Sequence, residues 1–138
     1  MNFIEAIGSG FSNYFNFKNR SSRPAFWHFV LFCALYYFLA GFLLGMMGVN
    51  DEVFDIAILF VSLPIIIPVI SLTARRLHDF NHSGWMQCIF IPGFVADEFL
   101  STGFVIYFVT LIIWAIYCSQ KPTNGKNRFG AKPKKDRR

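Results

Sequence analysis

A long run without any charged side chain, from position 26 to position 47, limits what this chain can fold into more than any other feature. At a rise of about 1.5 Å per residue, the run makes a helix of roughly 33 Å, which is enough to cross a hydrocarbon core of about 30 Å. A second long apolar run follows at 53–74, interrupted only by Asp55 near its start. Both runs predict transmembrane helices.

The composition supports this prediction. Of the 138 residues, 54% are hydrophobic and only 15% are charged, against about 25% charged in an average soluble domain. Lipid is the solvent in which so much apolar surface can face outward. The three cysteines, Cys33, Cys88 and Cys118, are widely spaced and show neither a disulfide framework nor a zinc-binding spacing, so we expect no cofactor.

Three further segments complete the predicted architecture. Residues 1–17 have apolar side chains at helical spacing and predict an amphipathic helix at the membrane interface, or a short helix packed on the end of the bundle. Two more apolar segments lie at 83–96 and 99–118. The fold class is therefore an all-α integral membrane protein, a four-helix transmembrane bundle with an N-terminal interfacial helix. We expect one membrane domain over 1–133, and a basic tail over 119–138 whose end is disordered.

The distribution of charge predicts the topology. All 13 Lys and Arg residues lie at 18–23, at 75–76 or from 121 onward, whereas five of the eight acidic residues lie at 51–55 and 97–98. If every apolar segment crosses, the positive charge falls on one side, as the positive-inside rule requires. We expect both termini in the cytoplasm. The third segment is short for a crossing, and is either tilted into residues 81–84 or thins the bilayer locally; a re-entrant hairpin is the alternative.

Two prolines in the second apolar run indicate a different possible function. Pro64 and Pro68 are four residues apart, and each removes a backbone donor. The carbonyl groups left over could line an ion path, as in transporters with broken helices, or the helix could be kinked and repaired by its neighbours. A subunit of a small transporter or channel is thus an alternative function.

The densest group of ionisable side chains lies at 75–79, in the sequence Arg-Arg-Leu-His-Asp, and is followed by Ser83, Gly84 and Trp85. A carboxylate paired with one arginine stays ionised and holds that guanidinium in place, and a second arginine could then bind a phosphate group. Alternatively, the cluster ties a loop to the bundle through ion pairs.

Two chemical readings of this region are weaker. His78 and His82 have the i, i+4 spacing that zinc uses on a helix, but Asn81 and the Ser83-Gly84 pair predict a turn. Ser83 with His78 and Asp79 lacks the surroundings of an activated nucleophile. We expect neither a metal site nor a catalytic residue.

Three separated motifs resemble one family. They are Asn-Arg-Ser-Ser-Arg at 19–23, Arg-Arg-Leu-His-Asp at 75–79 with Ser-Gly-Trp at 83–85, and Gly-Lys-Asn-Arg-Phe-Gly at 125–130. Together they are similar to the bacterial inner-membrane family called domain of unknown function 805, over roughly residues 11–133. Members usually have Gly where this chain has Asn19 and a basic residue at the position of His82. The resemblance implies a location in the inner membrane, and no activity.

The sequence therefore predicts a polar cluster on the cytoplasmic face, in a non-enzymatic binding or scaffold module. Its expected ligands are anionic lipid headgroups or an acidic segment of a protein partner, and a homo-oligomer is compatible with it. Nucleic acid is not expected, because no nucleic-acid-binding fold accompanies the charge. An enzyme acting on lipid, with His78 and Asp79 as acid and base, ranks third. The candidate binding residues are Arg20, Arg23, Arg75, Arg76, His78, Asp79, Trp85, Asn127 and Arg128.

Overall fold

The computed structural model describes residues 1–95, 100 and 102–133. All regular elements in this part of the chain are helical: α1 (Phe3–Ser12), α2 (Arg23–Met46), α3 (Asp51–Asp79), a 3₁₀ helix (Gly84–Phe90), α4 (Ile91–Val95) and α5 (Gly103–Cys118). The end of the predicted third segment, the acidic pair at 97–98, the start of the predicted fourth segment and the tail end at 134–138 lie outside the described residues.

Two of these helices are long and apolar enough to cross a membrane. They are α2, with 24 residues, and α3, with 29 residues, and they cover the apolar runs predicted at 26–47 and 53–74, except for Met47. Helix α5 is a shorter apolar helix. Large apolar side chains are exposed along all three, such as Phe38, Leu59 and Ile116, and lipid is the medium in which such surfaces are stable.

Local chemistry sets where the helices begin. At α1, the side chain of Asn2 accepts from the backbone of Glu5, and the side chain of Glu5 accepts from the backbone of Asn2, which makes a capping box. The side chain of Asn50 accepts from the backbone N–H of Val53 at the start of α3, where Asp51 and Glu52 also complement the helix dipole.

Helix α3 runs without interruption through both of its prolines. Pro64 and Pro68 lie inside Asp51–Asp79, and Pro68 is fully buried. The broken helix on which the transporter alternative depends is therefore not seen in α3, and the helix continues through the arginine pair to Asp79.

The chain forms two compact units. The first comprises Met1–Asn16 and Pro24–Leu72. Within it, α1 packs on α2 where Gly10 meets the fully buried ring of Phe29, close enough that a Cβ atom at position 10 would overlap the ring. Tyr36 donates to the carbonyl of Val61 at 3.1 Å and so links α2 to α3.

The second unit comprises Phe17–Arg23 and the described residues of Thr73–Arg138. It contains the end of α3, and every residue from 73 to 80 is buried. After Asp79 the chain turns at Asn81, which has a positive φ of 67°. The N–H of His82 donates to the carbonyl of Leu77 at 3.0 Å, and the N–H of Asn81 donates to that of His78 at 3.1 Å. This pair of bonds is a Schellman motif, with asparagine in the left-handed position that glycine usually occupies.

Candidate functional site

The centre of the second unit is the carboxylate of Asp79. Its Oδ1 atom accepts from Nε of Arg20 at 3.0 Å, and its Oδ2 atom accepts from Nη1 of Arg76. Asp79 is 1% exposed, Arg76 0% and Arg20 7%. One buried carboxylate therefore neutralises part of the charge of two buried guanidinium groups, and each of these groups needs further acceptors.

Backbone carbonyl groups of the C-terminal segment, residues 119–133, supply most of those acceptors for Arg20. Its Nη1 atom donates to Gly125 at 2.7 Å, and its Nη2 atom donates to Thr123 at 2.9 Å and to the carbonyl of Asp79 at 3.2 Å. Because the donors of this one guanidinium are directed at a carboxylate and at carbonyl groups, Arg20 holds the C-terminal segment against the end of α3.

Arg76 acts in the same way on the end of α5. Its Nε atom donates to the carbonyl of Cys118 at 2.8 Å, and its Nη2 atom donates to that of Gln120 at 2.5 Å. Arg23 adds a bond from Nε to the Gln120 carbonyl at 2.9 Å. The last carbonyl groups of a helix have no partner within the helix and carry partial negative charge, so arginine side chains stabilise this helix end.

The C-terminal segment in turn caps α3. The N–H of Thr123 donates to the carbonyl of Asp79 at 2.9 Å, and Nδ2 of Asn127 donates to the carbonyl of His78 at 2.8 Å. Asn127 and Gly130 exchange backbone bonds of 3.0 Å, and φ of Gly130 is +123°, which makes a tight turn that other residues rarely adopt. The contacts therefore run in both directions. Arg20 and Arg76 donate to carbonyl groups of the C-terminal segment, and Thr123 and Asn127 of that segment donate to carbonyl groups at the end of α3.

His78 joins all three sequence motifs. Its Nδ1 atom lies 3.0 Å from the carbonyl of Asn19, and its Nε2 atom accepts from the N–H of Gly84 at 3.2 Å. This pattern requires the tautomer with a proton on Nδ1. The ring of Phe129 stacks on the imidazole, with centroids 3.8 Å apart and an angle of 4° between the planes.

The remaining predicted site residues also lie in the second unit, with different exposure. Arg75 is buried, and its carbonyl accepts from the N–H of Ser21 at 3.0 Å. Arg128 is exposed, lies over the ring of Phe129 at 4.7 Å and donates to the carbonyl of Asn81 at 3.0 Å. Trp85 is 82% exposed. The structure thus separates the candidates into a buried group around Asp79, an exposed group of Trp85 and Arg128, and two half-buried residues, Arg23 and Asn127.

His78 and His82 do not face a common point. The Nδ1 atom of His82 lies 2.6 Å from the hydroxyl oxygen of Tyr117 and 3.1 Å from Sδ of Met86, whereas both nitrogens of His78 have backbone partners. The Schellman turn after Asp79 carries His82 off the helix, which is the physical reason. Among residues 1–95, 100 and 102–133, no three His, Cys, Asp or Glu side chains are grouped as metal ligands.

This arrangement suits holding the C-terminal segment in place better than proton transfer. Both oxygens of Asp79 accept from arginine, and both nitrogens of His78 are engaged. A general acid or base must reach a substrate proton. The polar side-chain atoms of Asp79 and His78 are already hydrogen-bonded within the second unit.

Sequence reasoning missed several functional partners. Thr123 donates to Asp79 through both its N–H and its Oγ1, and the Gln120 carbonyl accepts from two arginines. Neither residue carries charge, and backbone acceptors leave no signature in a sequence. The Gly-Lys-Asn-Arg-Phe-Gly motif at 125–130 includes Phe129 and could have indicated that this residue is part of the site. Its stacking on His78 was not predicted.

Together, the helices and this site define a class, an all-helical membrane protein with a polar cluster built from three separated motifs. Its sequence matches the model of the family described as "Protein of unknown function (DUF805)" over residues 14–131. The chain belongs to this family, as the three motifs predicted.

Two relatives are proteins of Escherichia coli (strain K12). Inner membrane protein YhaH is 28% identical to the chain over 123 residues, which cover 88% of this chain and 90% of YhaH. Inner membrane protein YhaI is 30% identical over 123 residues, covering 88% of this chain and 89% of YhaI. No solved structure matches the chain.

Proposed function

We propose that this chain is a non-enzymatic binding module of the bacterial inner membrane, and that its docked C-terminal segment binds anionic lipid headgroups on the cytoplasmic face. In this account, residues 1–133 form one multi-pass domain. Helices α2 and α3, the segment Gly84–Val95, and α5 each cross the membrane, α1 lies at the interface, and both termini are cytoplasmic.

The charge distribution supports the topology. All 13 Lys and Arg residues fall on one side if every segment crosses, and the acidic positions at 51–55 and 97–98 fall on the other. The names of the relatives YhaH and YhaI support the inner membrane as the location. Exposed Ile4 and Phe15, both 73% exposed, give α1 and the turn after it apolar side chains for the interface.

The observation that carries the proposal is the fixed position of the C-terminal segment. The buried pairs of Asp79 with Arg20 and Arg76 hold its backbone, while Lys121, Lys126, Arg128 and Lys132 are exposed. Each basic side chain near an anionic membrane surface contributes about 1 kcal/mol to binding. A segment that is already folded loses less entropy when it binds than a disordered tail does.

The buried and exposed groups then have different roles. Arg20 and Arg76 already direct their donors at Asp79 and at carbonyl groups, so they position the segment and do not reach lipid. The lysines are the groups that contact the headgroups. Trp85, 82% exposed in the same unit, is the type of side chain that sits at the headgroup level of a membrane.

The test is native mass spectrometry of the protein released from nanodiscs of phosphatidylcholine with phosphatidylglycerol. A variant with Lys121, Lys126 and Lys132 changed to Gln should lose about 100-fold in affinity for phosphatidylglycerol, since three contributions of about 1 kcal/mol are removed. The variant with the same three lysines changed to Arg is the matched control and should retain the lipid. None of these lysines belongs to the buried group, so the fold is preserved.

Equal retention of phosphatidylglycerol by the wild type and the Gln variant would contradict the proposal. Retention of a protein in place of lipid, lost in the Gln variant, would instead identify an acidic partner as the ligand.

A further inference from the structure

The side chains of His82, Met86 and Tyr117 converge on one point in the second unit. The Nδ1 atom of His82 lies 3.1 Å from Sδ of Met86 and 2.6 Å from the hydroxyl oxygen of Tyr117. That oxygen lies 3.7 Å from the same sulfur. An imidazole nitrogen, a thioether sulfur and a phenol oxygen therefore meet in a small triangle, although Tyr117 is 35 positions from His82 in the chain.

Backbone hydrogen bonds fix the nitrogen and the sulfur in place. The N–H of His82 donates to the carbonyl of Leu77 at 3.0 Å, within the turn that ends α3. The N–H of Met86 donates to the carbonyl of Ser83 at 3.0 Å, at the start of the 3₁₀ helix. A binding site requires side chains that are held by rigid elements, and both of these residues meet that requirement.

Aromatic rings form an apolar shell around the triangle. The ring of Phe80 lies 5.3 Å from those of both His82 and Tyr117, and the ring of Phe90 lies 6.1 Å from that of Tyr117. Such a shell limits the access of water to a bound ion. His82, Met86 and Tyr117 are themselves half-buried, which leaves a path by which a small ion can enter.

The number of available protons makes the contact between nitrogen and sulfur unusual. A neutral imidazole carries one N–H, and Tyr117 has one hydroxyl proton. In the tautomer with its proton on Nε2, the Nδ1 atom of His82 accepts from Tyr117, and no hydrogen atom lies between Nδ1 and Sδ of Met86. Two lone-pair atoms then face each other at 3.1 Å. A metal ion is the group that such a pair of atoms binds together.

The chemistry of the two atoms selects the ion. Imidazole and thioether are neutral ligands, so they offer no negative charge to a hard divalent cation, and thioether sulfur favours Cu(I). Metal–nitrogen and metal–sulfur distances of about 2.0 and 2.3 Å, with an angle of about 120°, separate the two atoms by roughly 3.7 Å. A small rotation of the flexible Met86 side chain supplies the difference.

We propose that Nδ1 of His82 and Sδ of Met86 bind Cu(I), and that the ion displaces the hydroxyl of Tyr117 from Nδ1. Copper enters and remains as Cu(I), so no electron is transferred. The site differs from the zinc spacing of His78 and His82, because the turn after Asp79 separates those two rings. It is also independent of the headgroups bound by the C-terminal segment.

The test uses the full chain in detergent, in a Cys33→Ala/Cys88→Ala background that removes the two thiols that are not fully buried. Cu(I), kept reduced by ascorbate, is titrated in competition with the chelator bicinchoninate. We expect one Cu(I) per chain, and a loss of about 100-fold in affinity in Met86→Leu and in His82→Gln. Met46→Leu removes an exposed thioether from α2, and this matched control should bind Cu(I) like the background protein.

The variant Tyr117→Phe separates the ligands from the hydrogen bond. Because the hydroxyl no longer competes for Nδ1 of His82, we expect an unchanged or about five-fold higher affinity for Cu(I). A loss as large as that of Met86→Leu would overturn the assignment of ligands. Equal affinities in Met86→Leu and Met46→Leu would overturn the site itself.

X-ray absorption at the copper edge provides a second measurement, which does not depend on how well any ligand variant folds. The copper-loaded background protein should show one sulfur and at least one nitrogen bound to the metal. A spectrum with nitrogen and oxygen ligands but without sulfur would overturn the proposal.

Discussion

The carboxylate of Asp79 accepts a hydrogen bond from Nε of Arg20 at 3.0 Å, although the two residues are 59 positions apart in the chain. The same carboxylate binds Arg76, three positions before it on α3. One side chain therefore connects the segment before α2 with the end of α3, and both arginines extend the connection to residues 119–133.

Removal of the Asp79 charge should release the C-terminal segment. Asp79→Asn leaves two buried guanidinium groups without their counter-charge, and breaking a buried pair costs about 3 to 5 kcal/mol. We expect faster tryptic cleavage after Lys126 and a lower midpoint when the protein is titrated with denaturing detergent. Asp55→Asn, at an exposed position in α3, is the control and should change neither result. Equal cleavage rates in both variants would show that Asp79 does not hold the segment.

Position 19 should prefer glycine to alanine. Asn19 has a positive φ of 64°, and its carbonyl lies 3.0 Å from Nδ1 of His78. Glycine adopts this left-handed conformation freely, whereas for alanine the conformation costs about 1 kcal/mol of free energy. We expect Asn19→Gly to match or exceed the wild type in detergent unfolding and Asn19→Ala to be less stable. If the two variants are equally stable, the backbone at position 19 is not in the left-handed region.

Loss of the aromatic stack should loosen the turn at 127–130. Phe129→Leu keeps apolar volume but loses the face-to-face contact with His78, and we expect a loss of about 0.5 to 1.5 kcal/mol. The measurement is the rate of proteolysis within residues 119–133. Phe15→Leu, at a position 73% exposed in the first unit, serves as the control. No difference between the two variants would mean that the stack does not contribute to docking.

The contact between α4 and α5 should not tolerate a side chain at position 93. Gly93→Ala places a methyl group against Thr110, and overpacking of this kind costs about 1 to 3 kcal/mol. Gly45→Ala is the matched control, since nothing lies within 4 Å of a Cβ atom built there. It should be neutral or stabilising, because alanine favours a helix over glycine. Unfolding midpoints of the two variants in one detergent check this contrast, and a Gly93→Ala protein as stable as the wild type would contradict the close contact of Gly93 with Thr110.

Much of the helical architecture could be predicted from the sequence. The uncharged run at 26–47 and the run at 53–74 predict helices of membrane-spanning length, and α2 and α3 cover both runs except for Met47. The association of the three motifs was also predicted from their resemblance to one family, and the match to that family over residues 14–131 confirms the membership.

The partners within the site could not be predicted, because most are distant in sequence or belong to the backbone. The density of charge at 75–79 indicated an ion pair of Asp79 with an arginine, which Arg76 forms, but not that Arg20 would form a second one. The idea of a second arginine left over for a phosphate group did not anticipate the carbonyl groups of Cys118, Gln120 and Thr123, which occupy the donors of Arg76 and Arg20. Similarly, the prolines of α3 indicated a kink or an opening of the helix, and the helical hydrogen-bond pattern continues past both of them to Asp79.

The central claim, that the C-terminal segment is docked by the cluster around Asp79, is tested most directly by amide hydrogen exchange of residues 119–133 in nanodiscs. The N–H groups of Thr123, Asn127, Phe129 and Gly130 are all hydrogen-bonded. We predict that these amides are protected in the wild type and exchange at the rate of an unfolded peptide in Asp79→Asn. Unprotected amides in the wild type would contradict the account, since a tail that is not docked cannot present its lysines at a fixed place.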